Sequence, residues 1–166
     1  MTLQIDDAGV GDLLSGVVIG IYRPETDRFD FEVVNVEHFQ KARFRQKTYL
    51  REAARIALRL VERFGLGEDE KIEVCSGFIL SEAVRLMKRN YGDSRVTVVK
   101  ITGAAQNRTE AAYLNELRSL GYEPILDRDE RRGRSFFHML RWVKKDRSRL
   151  RYAKTGWPRL RRYIKF

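Results

Sequence analysis

Two adjacent acids, Asp6 and Asp7, close the apolar run that opens the chain, in LQIDDAGVGDLLSGVVIGIYR (residues 3–23). Glycines at 9, 11 and 16 follow, and then a second apolar run begins. Like charges set side by side against a core-forming stretch become tolerable when a cation neutralises them. Mg²⁺ and Mn²⁺ prefer oxygen ligands, and a two-ion site needs carboxylates flanking ions held about 3.5–4 Å apart. In a regular strand Asp6 and Asp7 would face opposite ways. Glycines at 9 and 11 would let the chain leave the strand at once, so that both acids turn toward one site. The other reading of Asp7 is a turn residue that caps a local backbone group.

Three further residues are candidates for chemistry nearby. Glu73 shares a strand face with Cys75 by the period of two. It could join a site only if the register shifts, and the preferred reading is a solvated strand residue. Asp12 lies in the loop after the first strand, where acids are ordinarily solvated. Cys75 is the single cysteine, so no internal disulfide forms, and with His38 and His138 it falls short of a zinc set. No base partner lies near it in sequence, so it reads as a small buried hydrophobe rather than a nucleophile.

The elements that must position these residues follow from periodicity. Residues 2–6, 16–23 and 29–37 read as strands, the last two joined by the turn PETD, in which Pro24 sets the first dihedral. Leu50, Ala53, Ala54, Ala57, Leu58, Val61 and Phe64 recur at helical spacing, which predicts one helix from about Phe44 to Phe64, stopped by Gly65 and Gly67. Residues 71–76 read as a strand, 81–90 as a helix with Ser81 as N-cap, and 95–101 as a strand. A helix over 107–121 is ended by Gly121, and EPIL (123–126) reads as a last short strand. The class is α/β: three antiparallel strands, then alternating helix and strand, giving a mixed sheet with helices on its faces. That is the element order of the ribonuclease H fold.

The opening stretch carries a closer likeness. Asp6-Asp7-Ala8-Gly9, Gly11, Gly16 and Val17-Val18-Ile19 resemble the first motif of type 2 ribonucleases H, in which an Asp-Glu-Ala-Gly-Arg-Gly segment closes the first strand. The resemblance implies that Asp6 and Asp7 bind Mg²⁺ or Mn²⁺ at a scissile phosphate. The chain departs from that family at Val10, where the family has arginine, and it lacks the Asp-Ser-Lys segment after the second strand. It is therefore identified as a diverged member of the wider ribonuclease H-like superfamily. Superfamily members draw further carboxylates from the fourth strand and the last helix. The fourth strand here ends EVCSG, with Cys75 and Ser76 at the expected place. In NRTEAAYLNEL, Glu110 occupies the last acid's slot, which makes Asp6, Asp7 and Glu110 the implied metal and catalytic set. The other reading of Glu110 is an acid in a helix's first turn, favoured by the dipole, with Asn107 or Thr109 as cap.

Charge is unevenly spread. Residues 128–166 hold 15 Lys/Arg against three acids, a net of +12, whereas residues 1–127 carry 18 basic and 20 acidic residues, a net of −2. This divides the chain into a near-neutral ribonuclease H-like body (1–127) and a basic, aromatic-containing extension (128–166) that packs on the body or projects from it. Such asymmetry predicts a polyanionic partner, nucleic acid. Arg131, Arg132, Arg134, Arg141, Lys144, Lys145, Arg159, Arg161 and Arg162 are the candidate phosphate contacts. Phe136, Phe137 and Trp142 read as core rings, while rings set among arginines also suit base stacking. Gly156 and Pro158 break the amphipathic helix that a membrane-surface role would need. No apolar run approaches the roughly 20 residues that span a bilayer, and no signal peptide is visible, so a cytoplasmic location is expected. The functions left open are a metal-dependent nuclease, a non-catalytic nucleic-acid binder on the same fold, and a subunit whose tail docks on an acidic protein.

Overall fold

The computed structural model describes residues 1–125 and 132–163. Five strands form one sheet in the order β3-β2-β1-β4-β5. They are β1 (Thr2–Ala8), β2 (Val17–Arg23), β3 (Arg28–Val34), β4 (Lys71–Cys75) and β5 (Val96–Val99). β1, β2 and β3 are antiparallel, and β4 pairs parallel with both β1 and β5. The connections dictate this. One 3₁₀ turn at Pro24–Thr26, closed by Asp27 at φ 50, suffices to reverse the chain between β2 and β3. The parallel strands need helical crossovers, supplied by α2 (Thr48–Phe64) and α3 (Ser81–Tyr91).

The two faces of the sheet bury different helices. Leu3, Ile5, Val17, Ile19, Ile21, Ile72 and Val74 pack under α2 and α3. On the other face, Ala8 and Val18 pack with Ala112, Tyr113 and Leu117 of α4 (Ala104–Ser119) and with Met139, Leu140 and Val143 of α5 (Arg132–Lys144). Ala153 and Leu160 join the same cluster, so the basic extension is part of the core on this face. An isolated bridge pairs Leu14 with Ala153, and the Lys154 N–H donates to the Leu13 carbonyl at 2.8 Å. No helix among the described residues is long and apolar enough to cross a membrane.

Several boundaries differ from the sequence expectation, each for a local reason. The helix expected over Phe44–Phe64 is two helices, α1 (Lys41–Arg45) and α2, broken at Lys47 with φ 54. Phe44 leaves the α2 stripe and stacks on Tyr49 and Trp157, at 5.4 and 5.2 Å. The third strand stops at Val34 because the Asn35 side chain accepts the Glu37 N–H and caps a 3₁₀ turn. Ser81 is the first residue of α3, and Leu80 stands at the N-cap without a side-chain bond. α4 begins at Ala104 after Gly103, so Asn107 and Thr109 lie inside the helix and cap nothing; the Thr109 hydroxyl donates back to the Ala105 carbonyl. Residues 122–125 form no strand, and Leu126 lies outside the described residues. Phe137, expected in the core, is 44% exposed.

One buried ion pair ties the far end of the sheet. Arg23 makes a two-pronged contact with Glu70 at 2.7 and 2.8 Å and also donates to the Phe64 and Gly65 carbonyls at the end of α2.

Candidate metal centre

The pairing of β1 explains how two acids on alternate sides of one strand reach a common point. Its parallel pairing with β4 ends at Ile5 and Val74, whereas its antiparallel pairing with β2 runs on to Ala8. Asp6 and Asp7 therefore lie beyond the last β4 rung on a strand that is still extended. β4 ends at Cys75, and that residue turns into the open edge. One oxygen of each carboxylate and the Cys75 sulfur lie within 4.8 Å of one another. The Cys75 Sγ–H donates to Asp7 Oδ1 at 3.0 Å, and the Gly77 N–H donates to Sγ at 3.2 Å. A Cβ at Gly77 would sit 2.5 Å from Asp7 Oδ1, so a larger residue there would push the carboxylate aside. The expected mechanism is thus corrected: the chain does not leave the strand at Asp7, and the acids meet because β4 stops short.

α4 brings the third candidate. Asp6 pairs across the sheet with Gly20 of β2, and Thr109 sits directly on Gly20, where a Cβ would come within 2.3 Å of its hydroxyl. That close approach seats the helix on the rung of Asp6. Glu110, the next residue, is half-buried and stands outside the three-donor group. Its charge nevertheless acts on Asp6. One turn on, the Tyr113 ring packs against Gly9 (φ 99), and its hydroxyl donates to the Leu14 carbonyl at 2.9 Å.

The loop after the acids is held from the other end of the chain. Lys154 is fully buried, and its Nζ donates to the carbonyls of Gly9, Asp12 and Leu14 at 3.0, 2.9 and 3.2 Å. A lysine loses its hydration on burial, and hydrogen bonds must replace it. Here all three donors close one loop.

The electrostatics of the centre are those of an anion site short of cations. Burial raises the Asp6 carboxyl to about 6, and the charges of Asp7 and Glu110 add to the rise, although an Asp7 backbone hydrogen bond and the Cys75 thiol oppose it. Burial also raises Asp7, against the thiol's hydrogen bond. Burial and the facing Asp7 and Asp6 carboxylates push the Cys75 thiol up, so at neutral pH it is a protonated donor and not a nucleophile. A divalent cation reverses each of these penalties. The donor set fits such an ion: two carboxylates suit Mg²⁺ or Mn²⁺, and the sulfur adds a preference for softer ions.

Glu73 stands outside the three-donor group and accepts from Gln4 Nε2 at 2.9 Å, as a strand residue would. Arg134, Arg141, Lys144, Lys145 and Arg162 are exposed. Arg131 lies outside the described residues, as do the side chains of Arg132, Arg159 and Arg161. Sequence reasoning takes Cys75 for a core residue and misses Gly77, Gly20 and Lys154. A glycine inside the apolar strand VVIGIYR is the available signal for Gly20; nothing local marks Lys154, which acts about 140 residues from its partners.

The fold and the centre can be set beside known proteins. The structure resembles that of a mutant of Bst-RNase HIII, with a TM-score of 0.60 at 14% identity, covering 98% of this chain and 68% of that one. It also resembles Bst-RNase HIII in complex with Mn²⁺, with a TM-score of 0.55 at 13% identity and the same coverage. No family model and no curated protein matches the chain. At these identities the likeness is one of fold, and the fold is that of ribonuclease H.

Proposed function

We propose that this ribonuclease H-like chain is a divalent-metal-dependent nuclease that hydrolyses nucleic-acid phosphodiesters. The observation that carries the proposal is the convergence of Asp6, Asp7 and Cys75 at the end of the central strand. In this reading residues 1–127 carry the centre, and residues 128–166 hold the strand. Asp6 and Asp7 would hold Mg²⁺ or Mn²⁺, with Glu110 facing the same ion from α4. A cation bound there supplies Lewis-acid polarisation of the phosphodiester and relieves the repulsion between the acids. The chain's own residues do the rest. The Cys75 thiol, itself held by the Gly77 N–H, orients the Asp7 carboxylate, Lys154 fixes the loop beyond it, and the exposed cations of α5 orient the phosphate backbone.

Cys75 favours a second reading, in which the fold binds nucleic acid without cutting it. A protonated thiol at the end of β4 offers a metal less charge than a carboxylate would. Cleavage of end-labelled single-stranded DNA, duplex DNA, RNA and RNA–DNA hybrid separates the two, with Mn²⁺, Mg²⁺ or chelator and with wild type and Asp6→Asn. Metal-dependent cutting lost in the variant supports the nuclease. Binding that fades with monovalent salt, without cutting of any substrate, supports the binder.

A further inference from the structure

The loop that follows Asp6 and Asp7 also forms one wall of a cavity of about 400 Å³. Val10 and Leu13 line it from that side, and Phe136, Phe137, Trp157 and Tyr163 line it from the other. Three of these rings meet edge to face: Phe136 with Phe137 at 5.4 Å, Phe136 with Tyr163 at 5.8 Å, and Phe137 with Tyr163 at 5.5 Å. Phe137 and Tyr163 are also among the few large apolar residues left open to water, at 44% and 40% exposure. Exposed rings grouped around a concavity mark a binding site rather than a core.

The charge beside the cavity selects its occupant. Arg134, Arg141 and Lys144 stand three residues before, four after and seven after Phe137 on α5, so they share its face; all three are exposed, as are Lys145 and Arg162, while Asp12 lines the cavity from the loop. An apolar peptide or a lipid tail would use the rings and leave the cations idle. A nucleotide uses both, its base stacking on rings while its phosphates meet the arginines. We propose that this cavity receives one unpaired nucleobase of a single strand whose backbone runs from the cations of α5 along the Val10–Leu13 loop to the acidic pair. The proposal rests on the nucleic-acid reading above, and it adds that the substrate is engaged at an unpaired base.

The test is the affinity, measured by fluorescence anisotropy in chelator, for a short labelled single strand and for strands made abasic at one position at a time. It uses wild type, Phe137→Leu and Tyr163→Leu, both substitutions on exposed side chains, with circular dichroism to verify folding. Each variant is expected to bind the intact strand about tenfold more weakly or worse, the cost of losing one base stack. One abasic position should weaken wild type to the same degree and leave the variants unchanged. Variants that bind like wild type, or that suffer the full abasic loss in addition, would overturn the cavity while salt-sensitive binding left the nucleic-acid reading standing. A wild type that binds no strand would overturn both. Unchanged affinity together with loss of self-association in sedimentation would assign the cavity to a second copy of the chain and overturn the nucleobase.

Discussion

Replacing Asp6 by asparagine is expected to stabilise the protein in chelator, by an amount that grows as pH rises from about 4 to about 6 and is constant above. The carboxyl is 8% exposed and titrates at about 6, against an ordinary 3.8. That difference makes ionising Asp6 about 3 kcal/mol more costly in the fold than in the unfolded chain. The sign follows from proton counts. Below about pH 4 the carboxyl is protonated in both states, and no cost appears. Between the two values the unfolded chain gives up its proton first, so stability falls as pH rises. Above about pH 6 both states are ionised and the whole cost is present. Asp7 is raised for the same reason, so the two acids titrate as a pair, and removing one charge also eases ionisation of the other.

The asparagine side chain keeps an acceptor for the neighbouring thiol and removes the charge. At about pH 8 the Asp6→Asn variant is therefore expected to gain up to about 3 kcal/mol, or about 6–10 °C in Tm for a chain of this size. At about pH 4 the two proteins should coincide within about 0.5 kcal/mol. Urea unfolding followed by circular dichroism across this range measures the gain. Mn²⁺ at about 1,000 times Kd should invert the order, since it then stabilises wild type by about 4.1 kcal/mol and finds one carboxylate fewer in the variant. A variant that is less stable at pH 8 in chelator, or a gain that persists at pH 4, would refute the burial argument.

Other perturbations probe separate parts of the structure. Cys75→Asp should tighten Mg²⁺ binding by calorimetry and raise any Mg²⁺-dependent cleavage about tenfold or more, because it supplies a third carboxylate at the end of β4; Cys75→Ser should leave Mg²⁺ binding within about threefold and weaken Cd²⁺ or Zn²⁺ binding selectively. Glu70→Ala leaves the Arg23 guanidinium buried without its carboxylate and should cost about 3–5 kcal/mol in urea unfolding. Lys154→Met removes three hydrogen bonds to loop carbonyls, although those of Gly9 and Leu14 keep the Asp12 N–H and the Tyr113 hydroxyl, and should cost about 3 kcal/mol, with increased hydrogen exchange over residues 9–14. Changing both Lys144 and Lys145 to Gln should flatten the log–log salt dependence of single-strand binding by about 1.4 if both touch phosphate.

The strands were legible because β1 and β2 alternate or fill with apolar residues over a length matched to a sheet, and because the PETD turn admits little but a tight reversal. The helices were legible in place but less so at their ends. An aromatic cluster around Phe44 broke one helix where periodicity ran on, and the start of α4 at Gly103 shifted Asn107 and Thr109 from the cap into the helix. The acidic pair could be read from its position, since charge at the end of an apolar strand needs a reason. Its partner could not. Cys75 looked apolar because a thiol's role depends on what faces it, and what faces it lies 68 residues away on another strand. Lys154 was hidden for the same reason, one lysine among many in a basic segment.

The thiol sharpens the choice between nuclease and binder, but the acids constrain both. A surface that only held phosphates would gain nothing from a buried and a half-buried carboxylate beside it: they repel the ligand, and Asp6 alone costs the fold about 3 kcal/mol once ionised. The structure builds around them regardless, with Gly77 closed on Asp7, α4 seated on Gly20 opposite Asp6, and Lys154 fastening the loop beyond. A cation removes both penalties at once, converting a repulsive patch into an attractive one. Divalent ions should therefore strengthen nucleic-acid binding by wild type and not by Asp6→Asn at fixed ionic strength, whether or not a phosphodiester is cut. If Mn²⁺ leaves the affinity of both proteins unchanged, the acids are not a cation site, and the convergence at the end of β1 needs another explanation.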